Sequence, residues 1–131
     1  MAKIESLKKI FANWKYLGQV KSLRSRYYVF ELGNDYAIVR PDNRFKRGYN
    51  IVLFDCETIE NLRRLYQGRR SLTTAKILND KEVKQLFPIR DQKTRQLLLL
   101  QALLILACKG DAHVRKRGRE LVFTVAKIRE D

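Results

Sequence analysis

The chain has 131 residues, with 28 Lys+Arg against 14 Asp+Glu and a formal net charge of +14. A small domain stays soluble at a net charge of about 2–8 in magnitude, so this excess calls for a polyanionic partner. The 45% hydrophobic content excludes a disordered basic tail, and 6 Gly with 2 Pro exclude low-complexity and collagen-like chains.

The N-terminal segment places Ile4, Leu7, Ile10, Phe11, Trp14 and Leu17 at three- and four-residue spacing. This predicts a basic amphipathic helix ending at Gly18, its apolar stripe packed on the rest of the domain. Met1 to Leu7 lacks an apolar core and does not read as a secretory signal. Tyr27–Leu32 and Tyr36–Arg40, around Gly33-Asn34-Asp35, predict a β-hairpin. Tyr49–Phe54 adds a third strand and completes an antiparallel meander, and Val20–Leu23 is a candidate short strand before it.

Asp55 or Thr58 caps a helix carrying Ile59, Leu62, Leu65 and Tyr66, closed by Gly68. Short helices follow, one from Ser71 or Thr73 to Leu78 and another after Asn79-Asp80, stopped by Pro88. Asp91 opens a long helix through the Leu-rich stretch to Gly110. Ala112–Arg117 and Leu121–Ile128 form a last hairpin. Two separate groups of strands predict an α+β fold rather than an alternating α/β one. Residues 1–70 hold the basic helix, sheet and following helix. Residues 71–131 hold the helical segment and hairpin, the two halves packed as one unit.

The C-terminal layout of short helices, longer helix and hairpin resembles the winged helix-turn-helix class over about 60 residues, without a diagnostic motif. The resemblance implies that Arg115, Lys116, Arg117 and Arg119, on the hairpin tip, contact backbone phosphate. It also implies that Arg90, Lys93, Thr94 and Arg95, at the start of the long helix, approach bases or phosphate. The Leu97–Cys108 stretch is apolar all round and must be enclosed, by the two groups of strands or by a second protomer, so a homodimer through it is expected. It falls short of the roughly 20 residues of a membrane span, so no membrane partner is expected.

Further cations form three groups. Arg24, Arg26 and Arg40 flank the strands, and Arg44, Lys46 and Arg47 precede Tyr49 beside Phe45. Arg63-Arg64 and Arg69-Arg70 lie where no acid occurs among positions 61–79. Splitting the chain at residues 54 and 108 gives +7, +4 and +3, so the excess belongs to a folded body rather than a tail.

The reading that fits best is a cytoplasmic DNA-binding protein, a transcriptional regulator or an accessory of DNA transactions, gripping duplex rather than RNA and using no cofactor. One alternative is an RNA or single-strand binder, with Tyr49 stacking on bases from the N-terminal sheet. Another is a magnesium-dependent nuclease built on Asp42, Glu82 and Lys84, whose Glu-Val-Lys would then need to lie on a strand. Cys56 and Cys108 read as reduced, packed thiols. One histidine, His113, with two distant cysteines makes no zinc site of ordinary spacing.

Overall fold

The computed structural model describes residues 3–42 and 48–128. Helix α1 (Lys3–Ile10) leads into a four-stranded antiparallel sheet in sequential order: β1 (Lys15–Lys21), β2 (Arg26–Leu32), β3 (Asp35–Asp42) and β4 (Gly48–Asp55). Four helices follow: α2 (Cys56–Tyr66), α3 (Thr74–Ile77), α4 (Lys81–Leu86) and α5 (Gln92–Lys109). The hairpin β5 (Ala112–Arg117) and β6 (Glu120–Val125) ends the chain. The architecture is mixed α+β, with the meander one strand wider than its sequence pattern indicates.

The extra strand is a correction at the N-terminus. The helix predicted to reach Leu17 stops at Ile10, and β1 begins at Lys15. A β-bulge explains the misleading spacing. The β1–β2 register shifts between Tyr16 and Gly18. Trp14 and Tyr16 pack on one face of the sheet, whereas Leu17 and Val20 pack on the other. A strand with an inserted residue changes parity, and here it imitates a helical stripe. Gly18 sits at φ 145°, and a Cβ there would meet the Cys108 sulfur at 3.2 Å. This glycine lets β1 close on the C-terminal turn of α5.

Both faces of the central strands are covered, which is why they are apolar at consecutive positions. Tyr27, Val29, Tyr36, Ile38 and Phe54 face a large core shared with α2, α5 and β6. Tyr28, Phe30, Ala37 and Val39 face a smaller core closed by Leu7 and Phe11. Phe11 stacks on Phe30 at 4.6 Å between ring centroids. Burial of side chains of this size stabilises by about 1.5–3 kcal/mol each.

Local signals set the helix ends. Asp55 caps α2, accepting from the Thr58 N–H at 2.7 Å, and hydrogen bonding from the Thr58 side chain, with this backbone bond, holds the Asp55 carboxyl below the usual carboxylate range. Thr73 caps α3 through the Lys76 N–H at 3.2 Å. Gly110 ends α5 in the left-handed region at φ 87°. Leu72 forms a two-way antiparallel bridge with Phe123, at 2.9 and 2.8 Å, which ties the segment before α3 to β6.

The long helix finds its cover inside the chain. Leu99 and the run from Ala102 to Leu106 are fully buried, enclosed by β1, β3, β5, α2 and α3. The sequence argument for a second protomer over this helix therefore falls away, because its premise was an apolar surface needing cover. Among the described residues no helix is long and apolar enough to cross a membrane.

Candidate nucleic-acid interface

The β1–β2 turn, the end of β3, the start of α5 and the tip of the β5–β6 hairpin meet around a set of adjoining clefts. The central one, roughly 400 Å³, is lined by Arg24 of the turn, Arg40 of β3, Thr74 of α3, Gln96 of α5 and Arg119 of the hairpin tip. A neighbouring cleft shares Arg24 and Arg40 and adds Lys21 and Arg26. A third, between turn and hairpin, adds Arg115 and Lys116. Seven cations thus line three adjoining clefts that share the β1–β2 turn, although they come from positions 21–40 and 115–119. Glu120 is the only acid in these linings, and Arg117 already pairs with it at 2.9 Å.

The hydrogen bonds of the turn fix its shape. The Ser22 N–H donates to the Ser25 carbonyl at 2.8 Å, and the Ser22 hydroxyl donates to the same oxygen at 3.2 Å. The Ser25 N–H donates back to the Ser22 hydroxyl at 3.3 Å. Arg24 and Arg26 therefore project from a tied loop rather than a slack one. Among the described residues the Arg40 Nε is buried without a hydrogen-bond partner. Across the cleft the Gln96 side-chain amide donates to the Thr74 hydroxyl at 3.2 Å. Lys93 lies one turn before Gln96 and Leu100, on the same face of α5, and is exposed.

The sequence-predicted residues separate on this background. Arg115, Lys116 and Arg119 line the clefts, and Lys93 extends their rim. Arg117 lies beside them in its exposed ion pair. Arg44, Lys46 and Arg47 lie outside the described residues. Arg69, Arg70 and Arg90 are exposed but belong to none of these linings; Arg69 lies 5.5 Å above the Tyr66 ring.

Four of the named residues make contacts within the chain or lie apart from the clefts. Arg95 is 8% exposed, and its guanidinium donates to the Ile89 carbonyl, so it braces the loop before α5 rather than meeting a partner. The exposed Thr94 hydroxyl donates to the Asp91 carboxylate at 2.6 Å, a bond that holds the Asp91 carboxyl below its ordinary range. Arg63 pairs with Glu60 at 3.6 Å and with Asp111 at 3.5 Å. The missing acid was absent only from its own stretch of sequence. Arg64 lies by a depression lined by Asp55, Glu57 and Glu60, apart from the basic clefts.

The alternative sites are placed as follows. Tyr49 is half-buried and packs against the smaller core. Tyr27, Tyr28, Phe30 and Tyr36 are buried. Glu82 and Lys84 lie on helix α4, whereas Asp42 ends β3. A strand-borne Glu-Val-Lys is therefore not what the chain folds into. Among the described residues no group of three or more His, Cys, Asp or Glu is placed so that it could hold a metal ion. Cys56 and Cys108 are half-buried free thiols, and burial pushes the Cys108 thiol up.

Sequence reasoning missed Lys21 as a site residue, although it falls within the candidate strand Val20–Leu23. It named Arg24, Arg26 and Arg40 but set them on a sheet separate from the hairpin. Their convergence has no local signal. Comparison with protein-family models, curated proteins and solved structures returns no match.

Proposed function

We propose that the chain binds duplex DNA, with the sugar-phosphate backbone lying across the rim of the basic clefts. The reading rests on one observation: Lys21, Arg24, Arg26, Arg40, Arg115, Lys116 and Arg119 line three adjoining clefts around the β1–β2 turn, with a single acid among the linings. Cations crowded along concave surfaces with little acid beside them focus a positive potential, which steers a polyanion toward them. Phosphate contacts of this kind position a duplex without reading its sequence. Base contacts fall to the first turns of α5, where Gln92, Lys93 and Gln96 are exposed. Beyond Leu99 the helix is closed to a groove.

Duplex is favoured over single strands and RNA because the sheet's aromatics are consumed by the two cores, which leaves phosphate contact as the main attraction. The roles suited to such a module are regulation of transcription and assistance in DNA transactions. Selection from random duplexes separates them, since base preference marks the first and shape-driven binding the second.

The test is a competition assay among duplex DNA, single-stranded DNA and RNA over a range of salt. Each neutralised phosphate contributes about −0.9 to the slope of log K against log salt. If four to seven of these cations engage, a slope of about −4 to −6 is expected. Preference for single strands, lost on Tyr49→Ala, would replace this reading with the stacking one.

A further inference from the structure

The sheet has two edges, and they are treated differently. Natural sheets protect an open edge with lysines, bulges or cover, because unpaired N–H and C=O groups recruit further strands. β1 uses all three. Lys15 and Lys21 stand at its ends, the bulge lies between Tyr16 and Gly18, and α5 packs against it. β4 uses none. Its run Tyr49-Asn50-Ile51-Val52-Leu53-Phe54 has no charge, proline or glycine, and it pairs with β3 on one side only.

The face beside this edge is apolar and incompletely covered. Leu53 pairs with Ala37, and Ile51 pairs with Val39, so both lie on the side of the smaller core. Leu7 and Phe11 of the N-terminal segment close that core over β2 and β3. Leu53 is left 63% exposed and Ile51 45% exposed.

We infer that β4 pairs antiparallel with β4 of a second copy of this chain, joining two four-stranded sheets into one. Charge sets the direction. Asp55 ends β4, its cross-strand partner is Asp35, and Glu57 follows in the first turn of α2. A two-fold antiparallel pairing sets this acidic end against the uncharged Tyr49-Asn50 end of the other strand. Parallel pairing would set like against like. A run without cations is also where two copies of a +14 chain repel least. Two-fold pairing is closed, so it consumes both open edges at once and does not propagate.

The register that buries the exposed pair sets Val52 opposite its symmetry mate. Ile51 then faces the partner's Leu53, and Leu53 the partner's Ile51. Such cross-strand aliphatic pairs are the unit of sheet stabilisation. This interface is independent of the basic clefts and stands whether or not the chain binds DNA.

The test measures the mass of the full chain in solution, by light scattering or sedimentation, from low micromolar concentration to the solubility limit. A reversible dimer is expected. Leu53→Lys sets an ammonium against the partner's Ile51 at a site already exposed in one chain. It should keep the circular dichroism and melting of a folded chain and weaken association at least about tenfold. Val52→Pro removes a backbone donor and adds a ring at the two-fold centre. If it disturbs the fold, Leu53→Lys alone carries the test. A wild-type chain that stays monomeric throughout overturns the inference, and so does a dimer untouched by Leu53→Lys.

Discussion

Two regions of the molecule hold cations that look equivalent in sequence and behave oppositely. On the cleft face Lys21, Arg24, Arg40 and Arg119 surround space with little acid in it. Where α2 meets the end of α5, Arg63 and Lys109 close a four-membered network with Glu60 and Asp111. Lys109 reaches Glu60 at 3.2 Å and Asp111 at 3.4 Å, and it sits 5.0 Å over the Tyr36 ring. The first set is free to meet a partner, and the second is committed to joining two helices and the sheet. A cation's role is set by the acids within reach, and the excess of +14 is unevenly available.

The largest effect expected from breaking this contrast is on binding. Replacing Arg24, Arg40 and Arg119 by Glu should lower duplex affinity at least about 100-fold at low salt and flatten the salt slope by nearly 3. Thermal stability should change little. An electrophoretic or anisotropy titration checks the affinity, and an unchanged affinity removes the cleft from the interface. The same measurement on Arg63→Ala should show no more than a small change.

Stability should respond in the other region. Lys109→Met removes the closer cation of Glu60 and Asp111 in a half-buried site and leaves Arg63 alone with the two acids, at an expected cost of about 1–3 kcal/mol. Denaturant unfolding reads this, and duplex affinity below the transition should hold. The effect has a pH signature. Burial pulls the Lys109 ammonium down, but hydrogen bonds with Tyr36 and Glu60 and the Asp111 charge outweigh it. The net shift is upward from the ordinary value. A raised pKa stabilises fully below the unfolded value and is lost as pH rises through the folded one. The gap between wild type and Lys109→Met should therefore persist at neutral pH and close only above about pH 10.

Two smaller effects sharpen the comparison. The buried Tyr66 hydroxyl donates to the Asp80 carboxylate; burial and this bond together raise the tyrosine's pKa. Tyr66→Phe should cost about 1–2 kcal/mol in unfolding without touching the clefts. Arg117→Ala opens an ion pair whose side chains are 52% and 47% exposed. Its effect on stability should stay below about 0.5 kcal/mol. A melting shift as large as that of Tyr66→Phe would contradict the account of which ion pairs matter.

Much of this was legible in the sequence. Alternation around Gly33 located β2 and β3, Asp55 and Gly110 marked the ends of α2 and α5, and the unbroken apolar run declared an enclosed helix. The first helix was overextended because a bulged strand places Trp14 and Leu17 as a helix would. Half of the site was legible as basic turns, including the hairpin tip. The contacts of Arg95 with Ile89 and of Arg63 with Asp111 were not legible, because they are made through a loop and across helices.

By itself, the sequence determined the class of fold, the charge excess and its spread over a folded body. These depend on composition and on contacts within a few residues, which periodicity and caps record directly. Tertiary structure alone decided which cations are spent and which are free. The Lys109–Glu60 pair spans 49 positions, and the cleft joins residues from opposite ends of the chain. Coulombic attraction falls with distance in space, and separation along the chain does not report that distance.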